Sequence, residues 1–373
     1  MKKVAVLGCS GSIGKTALSV LENLKEEYQI ELLANNEQIT DILESKKKFN
    51  VKNIFCKKQK YLVNEDREVS FYEGYLADPE TYRDIDIVIN GIAGIEGLAP
   101  SYAVLSAGKI LATANKESIV CAGEYLKHNM NPSAKIYPLD SEHSTIWQCV
   151  DNPNNVQRII LTASGGAFRD KKIDELRTMK AADALNHPNW NMGRKITIDC
   201  ASLVNKGLEI IEAKRLFDTE QVDVVLHRES IIHSLVEMKD GAMIAGLSVP
   251  DMTIPIQYAL TYPNRIKSGV KPLSLTDIGA LHFEKIDEGR FPCFDLVKKV
   301  SNYGDYAGTV LVAADEIAVQ AFLRDEISFL DIYTLLYDTL ETFGYTGNID
   351  SVSDAYGIYK NVMEYTINHI KEI

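Results

Sequence analysis

Short apolar runs alternating with stretches of helical periodicity fill the first third of the chain. Residues 4–7 (Val-Ala-Val-Leu) form an unbroken apolar run of the kind a fully buried strand presents, and 15–24 place their apolar positions at helical spacing. Residues 30–34, 85–90, 110–114 and 135–137 read as further strands, the last stopped by Pro138, with helical sequence at 101–107. Strands that alternate with helices predict a parallel sheet, and such sheets bind ligands beyond the carboxyl ends of their strands. The loops Gly91-Ile92-Ala93-Gly94 and Thr113-Ala114-Asn115-Lys116-Glu117-Ser118 fall there.

The pattern then changes. Residues 159–162, 196–200, 222–227, 231–238 and 243–249 read as strands, with Lys239-Asp240-Gly241 as a hairpin turn, and a helix opens at 205 and runs to about 217. Met243, Ala245, Leu247 and Val249 alternate with Ile244, Gly246 and Ser248, so neither face of that strand is strongly polar. Its sheet is expected to be covered on both sides, one of them by a partner subunit. Glycines, prolines and charges dominate 262–291, the best linker candidate, after which 293–300, 309–323, 327–343 and 353–373 read as helices packed by apolar faces.

Composition narrows the class. A chain of 373 residues suggests two or three domains, and 46% hydrophobic with 25% charged residues is ordinary for a globular protein. The net charge of −12 argues against nucleic acid or an anionic membrane as partner, so an anionic substrate needs a local basic pocket. Six scattered cysteines without a C-x-x-C pair fit reduced thiols in a cytoplasm. The N-terminus imitates a lipoprotein signal, but the apolar run at 4–7 is shorter than a signal needs, and no window reaches about 18 uninterrupted apolar residues, so no membrane span is expected.

Several stretches carry chemistry. Gly8-Cys9-Ser10-Gly11-Ser12-Ile13-Gly14 sits between a strand and a helix, where glycines let the backbone approach a pyrophosphate that the helix N-terminus accepts. The turn after the second strand, Asn35-Asn36-Glu37, does not decide between NAD and NADP. Asp140-Ser141-Glu142-His143 follows Pro138, and in an extended segment Asp140 and Glu142 converge while Ser141 and His143 face the other way. Two convergent carboxylates favour a hard divalent cation. Ser164-Gly165-Gly166 is an anion nest, the breaker-rich stretch 185–195 with Trp190 and Met192 suggests a lid, and Asn205 and Glu209 share a helical face.

Taken together, GCSGSIG, ANKES, PLDSEH, ASGG, HPNWNMGRK, NKGLE, HRESIIHS, SVPDMTIPIQYAL, FPCFDLV and VAADEIAVQAFL occur in order along nearly the whole chain. They resemble the 1-deoxy-D-xylulose 5-phosphate reductoisomerase family. The resemblance implies an α/β protein with a Rossmann-like NADPH-binding domain (1–139), a catalytic α/β domain with a lid (140–261), a linker (262–287) and a C-terminal helical domain (288–373). It implies a homodimer that rearranges a ketose phosphate and reduces the resulting aldehyde with NADPH. Its metal ligands, for Mg²⁺ or Mn²⁺, fall on Asp140, Glu142 and Glu209. Its phosphate site falls on Ser164, His187, Asn205 and Lys206, with Cys200 in place of a serine. Ser141 and Lys116 match positions touching substrate hydroxyls and the nicotinamide side, Trp190 and Met192 match the lid, and His143, His233 and Met252 line the site. Gly8, Ser10, Gly11, Ser12, Ile13, Asn36, Asn115, Lys116, Glu117 and Gly193 are expected at the coenzyme.

Besides Cys200, the chain departs from the family where Asn35 and Asn36 replace a glycine and a basic residue, and where Asp315 begins a motif that otherwise starts with asparagine. Two competing readings are a semialdehyde-type NADP dehydrogenase with Cys149 or Cys121 as nucleophile, and a redox-sensing nucleotide binder. Neither employs the carboxylates.

Overall fold

The structure is a computed structural model that describes residues 1–65, 71–185, 192–287 and 289–372. The chain opens with β1 (Lys2–Leu7), α1 (Ser12–Asn23), β2 (Tyr28–Asn35), α2 (Ile39–Phe49), β3 (Asn53–Cys56), β4 (Tyr61–Val63), β5 (Ile87–Asn90), α3 (Leu98–Ser106), β6 (Ile110–Thr113), α4 (Lys116–Asn129) and β7 (Lys135–Pro138). Then come α5 (Ser141–Cys149), β8 (Val156–Ala163), α6 (Ile173–Leu176), α7 (Ala181–Ala184), α8 (Arg194–Ser202), α9 (Val204–Phe217), β9 (Val222–Leu226), β10 (Ile232–Met238) and β11 (Met243–Leu247). The chain closes with α10 (Thr253–Thr261), α11 (Leu275–Ile278), α12 (Pro292–Val300), α13 (Asp305–Leu323), α14 (Asp331–Phe343) and α15 (Val352–His369). Two compact units result: Met1–Ser118, Leu126–Ser144 and Asp251–Val270 form the first, and Ile119–Tyr125, Thr145–Pro250 and Lys271–Ile373 the second.

The first unit is built on a seven-stranded sheet in the order β4-β3-β2-β1-β5-β6-β7, parallel except for β4. Helices cover both faces of such a sheet, which is why β1 and β5 read as continuous apolar runs: Val4 to Leu7 are 0% exposed. This is a Rossmann-like arrangement, and β1 lies between β2 and β5, so the loops after β1 and β5 leave the same edge of the sheet. The helix α10, absent from the sequence reading, packs against α1 and buries Ile256, Ala259 and Leu260. The Tyr28 hydroxyl donates to the Leu260 carbonyl, tying α10 to the start of β2. Short β3 and β4 also escaped the sequence reading.

The second unit holds a four-stranded sheet, β11-β10-β8-β9, with β8 and β9 parallel and the other pairs antiparallel. Ile159, Leu161 and Ala163 of β8 and Val236 of β10 pack with Ile146 of α5, Ile210 and Ala213 of α9, and Phe294 of α12. Beyond them α13 packs against α14 and α15 as the helical C-terminal part. α13 is long and apolar enough to cross a membrane by composition, but 78% of its apolar window is buried within the protein.

Two expectations are corrected. Residues 196–200 lie in α8, not in a strand: Thr197, Ile198, Ala201 and Ser202 are buried at helical spacing, and Lys195 pairs with Asp199 one turn on at 2.7 Å. Asp140 and Glu142 are not in an extended segment either. The Asp140 carbonyl accepts the first helical bond of α5 from Ser144 at 2.8 Å, and Glu142 stands in that helix's first turn.

Candidate active site

At the end of β1 the chain turns at Gly8 (φ 75°), and the Gly8 and Cys9 amides donate to the Ala34 carbonyl of β2 at 2.8 and 3.0 Å. Gly14 must be glycine, because a Cβ there would lie 2.3 Å from the Gly8 carbonyl oxygen. Among the described residues no side chain caps α1 and no acid stands in its first turn, so Ser12 and Ile13 present amides suited to an anion. Ser10 Oγ accepts from Asn35 Nδ2 at 2.7 Å, and Asn36 follows, exposed, at the end of β2.

The loop after β5 is held by two asparagines. Asn90, fully buried, donates to the Gly97 carbonyl at 3.0 Å and to Ser101 at 2.9 Å, and accepts from the Ile92 amide at 3.1 Å. Asn115 donates to the carbonyls of Ile92 (2.7 Å) and Gly94 (2.8 Å) and to Glu117 (3.1 Å), while its oxygen caps α4 through the Ser118 amide at 2.9 Å. Asn115 is therefore an organiser of the loop that starts α4. The sequence reading missed Asn90, whose signal is a polar residue closing an apolar strand.

Lys116, the first residue of α4, is buried, and its Nζ lies 3.1 Å from the Asp140 carboxylate. A carboxylate oxygen of Asp140 and one of Glu142 lie within 4.8 Å of each other, and Ser141 Oγ donates to Glu142 at 2.5 Å. A ring nitrogen of His143 also comes within 4.8 Å of an Asp140 oxygen. The helical start of α5 thus turns His143 towards Asp140, where an extended chain would have turned it away.

In the second unit, Ser164 follows the end of β8 and leads into Gly165 and Gly166, both at positive φ (83° and 67°). A Cβ on Gly166 would stand 2.4 Å from the Cys200 carbonyl oxygen, so the nest and the end of α8 are in direct contact. The chain passes from α8 to α9 through Leu203 at φ 60°, a conformation unfavourable for leucine, which presents Asn205 and Lys206 in the first turn of α9. Glu209, 1% exposed, accepts from Asn205 Nδ2 at 2.5 Å and forms an ion pair with Lys206. Lys195 joins Asp199 to the fully buried Asp315, at 2.7 and 2.5 Å, so the aspartate in place of asparagine has an ammonium partner.

The structure places Gly8, Ser10, Gly11, Ser12, Ile13, Asn36, Asn115, Lys116, Glu117, Asp140, Ser141 and Glu142 in the first unit. Ser164, Met192, Gly193, Cys200, Asn205, Lys206 and Glu209 are in the second, with Gly193 at the N-cap of α8. His187 and Trp190 lie outside the described residues. His233 is buried in β10 and bonds Ser248 at 2.9 Å, and Met252 precedes α10. The cysteine-nucleophile reading fares poorly: Cys121 is 0% exposed within α4, and Cys149 packs on the second unit's hydrophobic core.

Comparison with known proteins places the chain in a family. The model of 1-deoxy-D-xylulose 5-phosphate reductoisomerase matches residues 4–123, that enzyme's C-terminal domain model matches 136–217, and a DXP reductoisomerase C-terminal domain model matches 247–365. A 1-deoxy-D-xylulose 5-phosphate reductoisomerase of Sulfurihydrogenibium sp. is 43% identical over 100% of this chain and 98% of its own length. One from Bacillus thuringiensis subsp. konkukian is 43% identical over 91% of each chain. A solved DOX-P reductoisomerase in complex with NADPH, fosmidomycin and magnesium superposes with a TM-score of 0.92 at 35% identity, covering 100% of this chain and 98% of that one. The Zymomonas mobilis enzyme in complex with NADPH gives 0.90 at 34% identity, with 100% of both chains covered. With these family models matched along its length and a relative 43% identical over 100% of it, the chain belongs to the 1-deoxy-D-xylulose 5-phosphate reductoisomerase family.

Proposed function

We propose that this protein isomerises and reduces 1-deoxy-D-xylulose 5-phosphate to 2-C-methyl-D-erythritol 4-phosphate, in isoprenoid precursor synthesis, with NADPH and a divalent cation. The observation that carries the reading is family membership along the whole chain, including relatives solved with NADPH and magnesium. The test is to incubate the protein with that substrate, NADPH and Mg²⁺ and identify the product by NMR. Unchanged substrate would end the proposal.

In this reading the coenzyme pyrophosphate lies on the amides of Ser12 and Ile13, beside Gly8, Ser10 and Gly11, with Asn36 near the adenosine. Asn115, Lys116, Glu117 and Gly193 serve its nicotinamide end. Asp140, Glu142 and Glu209 hold the cation, magnesium or manganese. Their chemistry fits: all are carboxylate donors, and Asp140 and Glu209 each already attract an ammonium group, from Lys116 and Lys206. When bound, such a cation withdraws electrons from the ketone and hydroxyl oxygens of the substrate.

The chain's own residues do the rest. Ser164, Cys200, Asn205 and Lys206, with His187, receive the substrate phosphate. The first turn of α9 and the Lys206 ammonium supply the positive potential that the overall charge of −12 does not. Ser141 meets a substrate hydroxyl, and Trp190 and Met192 exclude water from the reacting carbons.

The working unit in this reading is a cytoplasmic homodimer. All six cysteines are free thiols, as a reducing compartment keeps them. β11 is an edge strand with Met243, Ile244 and Leu247 at 54, 39 and 41% exposure, an apolar edge suited to a second copy.

A further inference from the structure

We propose that Lys58, supported by Lys57, supplies the charge that selects NADPH over NADH in this chain, and that Glu37 is its counterweight. This rests on the coenzyme reading above and goes beyond it, because it assigns coenzyme choice to residues outside the turn that ordinarily makes it.

A fold of this kind inspects the adenosine ribose just past the second strand, where an acid favours the ribose hydroxyls of NAD and a basic group the 2′-phosphate of NADP. Here β2 ends in Asn35, followed by Asn36 and Glu37, so the turn itself offers two amides and one carboxylate and no cation. Left alone, Glu37 would repel a 2′-phosphate. The cations come from the neighbouring strand. β3 runs parallel to β2 with Cys56 opposite Asn35, and Lys57 and Lys58 follow directly. Their amides donate to the carbonyls of Asn35 (3.2 Å) and Asn36 (2.8 Å), and Cys56 Sγ reaches the Asn36 carbonyl at 3.5 Å, so the two turns are fastened together.

The same turn is fastened to the coenzyme loop. Asn35 is 9% exposed, and its amide nitrogen donates to Ser10 Oγ and to the Gln38 carbonyl, both at 2.7 Å. The lysine pair therefore stands beside the glycine turn that receives the pyrophosphate.

The Lys58 ammonium is paired with Glu37, which also accepts weakly from Asn36 Nδ2 at 3.5 Å, and Lys57 is paired with Glu96 at 2.5 Å. The side chains of Lys58 and Glu37 are 60 and 55% exposed. An exposed pair of this kind contributes little and exchanges readily. A phosphate dianion is the stronger partner for an ammonium. Lys58 thus has two roles: it masks Glu37, and it moves to the 2′-phosphate when NADPH arrives. With NADH it has no phosphate to meet, and Glu37 keeps it.

The test is equilibrium binding of NADPH and NADH to the whole protein, followed by coenzyme fluorescence, with adenosine 2′,5′-bisphosphate and adenosine 5′-monophosphate as competitors. Wild type, Lys58→Ala, Lys57→Ala/Lys58→Ala and Glu37→Gln are compared, with thermal melts confirming that each is folded. Losing a hydrogen bond to a charged group predicts that Lys58→Ala weakens NADPH and the bisphosphate roughly ten- to hundredfold while NADH and the monophosphate change less than about twofold. Glu37→Gln should tighten NADPH and not NADH. The inference is overturned if the double lysine variant keeps the wild-type ratio of the two coenzymes, whether both weaken together or neither changes. A wild type that binds neither coenzyme would instead overturn the NADPH reading itself, which separates the two failures.

Discussion

Glu209 and Cys200 are the two side chains whose substitution is most telling. Glu209 is almost wholly buried, and its charge is met by Lys206 and Asn205 from the same first turn of α9. Replacing it by glutamine keeps the shape but removes the charge a divalent cation requires, and turns one of the two oxygens that accept from Asn205 and Lys206 into an amide donor. Glu209→Gln is expected to lower kcat by about a hundredfold or more, since lost electrostatic stabilisation of reacting oxygens costs that much, while NADPH binds as before. More than about a tenth of wild-type turnover in saturating Mg²⁺ would refute the assignment. Cys200 is half-buried at the end of α8, against Gly166, in the place of a family serine. A thiol donates weakly. Cys200→Ser should lower KM for the phosphorylated substrate about two- to tenfold with kcat nearly constant, because a phosphate remote from the reacting carbons is held alike in ground and transition states. A raised KM would mean that the thiol packs against something a hydroxyl does not tolerate.

Helix ends, rather than strands, carry most of the candidate site residues, and they were the hardest elements to read. The Rossmann-like part was legible because buried parallel strands leave unbroken apolar runs, as in β1 and β5. α8 was misread as a strand because Ile196, Thr197 and Ile198 are β-branched, a propensity overridden by burial at helical spacing and by the Lys195–Asp199 pair. At α5, Pro138 correctly signalled the end of β7, but nothing local showed that the chain turns helical at once, which is what changes the direction of His143. The motifs were legible in the sequence even where the elements that carry them were not. One element-scale prediction concerns α15. His369 at its end is 3.0 Å from Asp338 of α14 and 3.0 Å from Glu372. Hydrogen bonds first to Asp338 and then to Glu372 raise its pKa above the ordinary 6.5. A raised histidine stabilises fully below its unfolded pKa, and that contribution is lost as pH rises through the folded value. Wild type should therefore melt slightly higher than His369→Gln at about pH 6, and the difference should vanish by about pH 9. A difference that grows with pH would show that the ring packs α15 in its neutral form.

In the molecule as a whole, a metal-dependent rearrangement and an NADPH reduction share one chain. Its charge of −12 makes general attraction for an anionic sugar phosphate unfavourable, so the proposed site assigns the affinity to Lys206, the start of α9 and the cation. That makes the cation indispensable to turnover rather than a modest enhancer. It also separates this reading from cysteine-based aldehyde oxidation, which needs no metal. The most direct measurement is NADPH oxidation at 340 nm with 1-deoxy-D-xylulose 5-phosphate, before and after EDTA and again after Mg²⁺ is restored. Oxidation should depend on the sugar phosphate, fall to background in EDTA and return with Mg²⁺. Oxidation that continues unchanged in EDTA would contradict this reading.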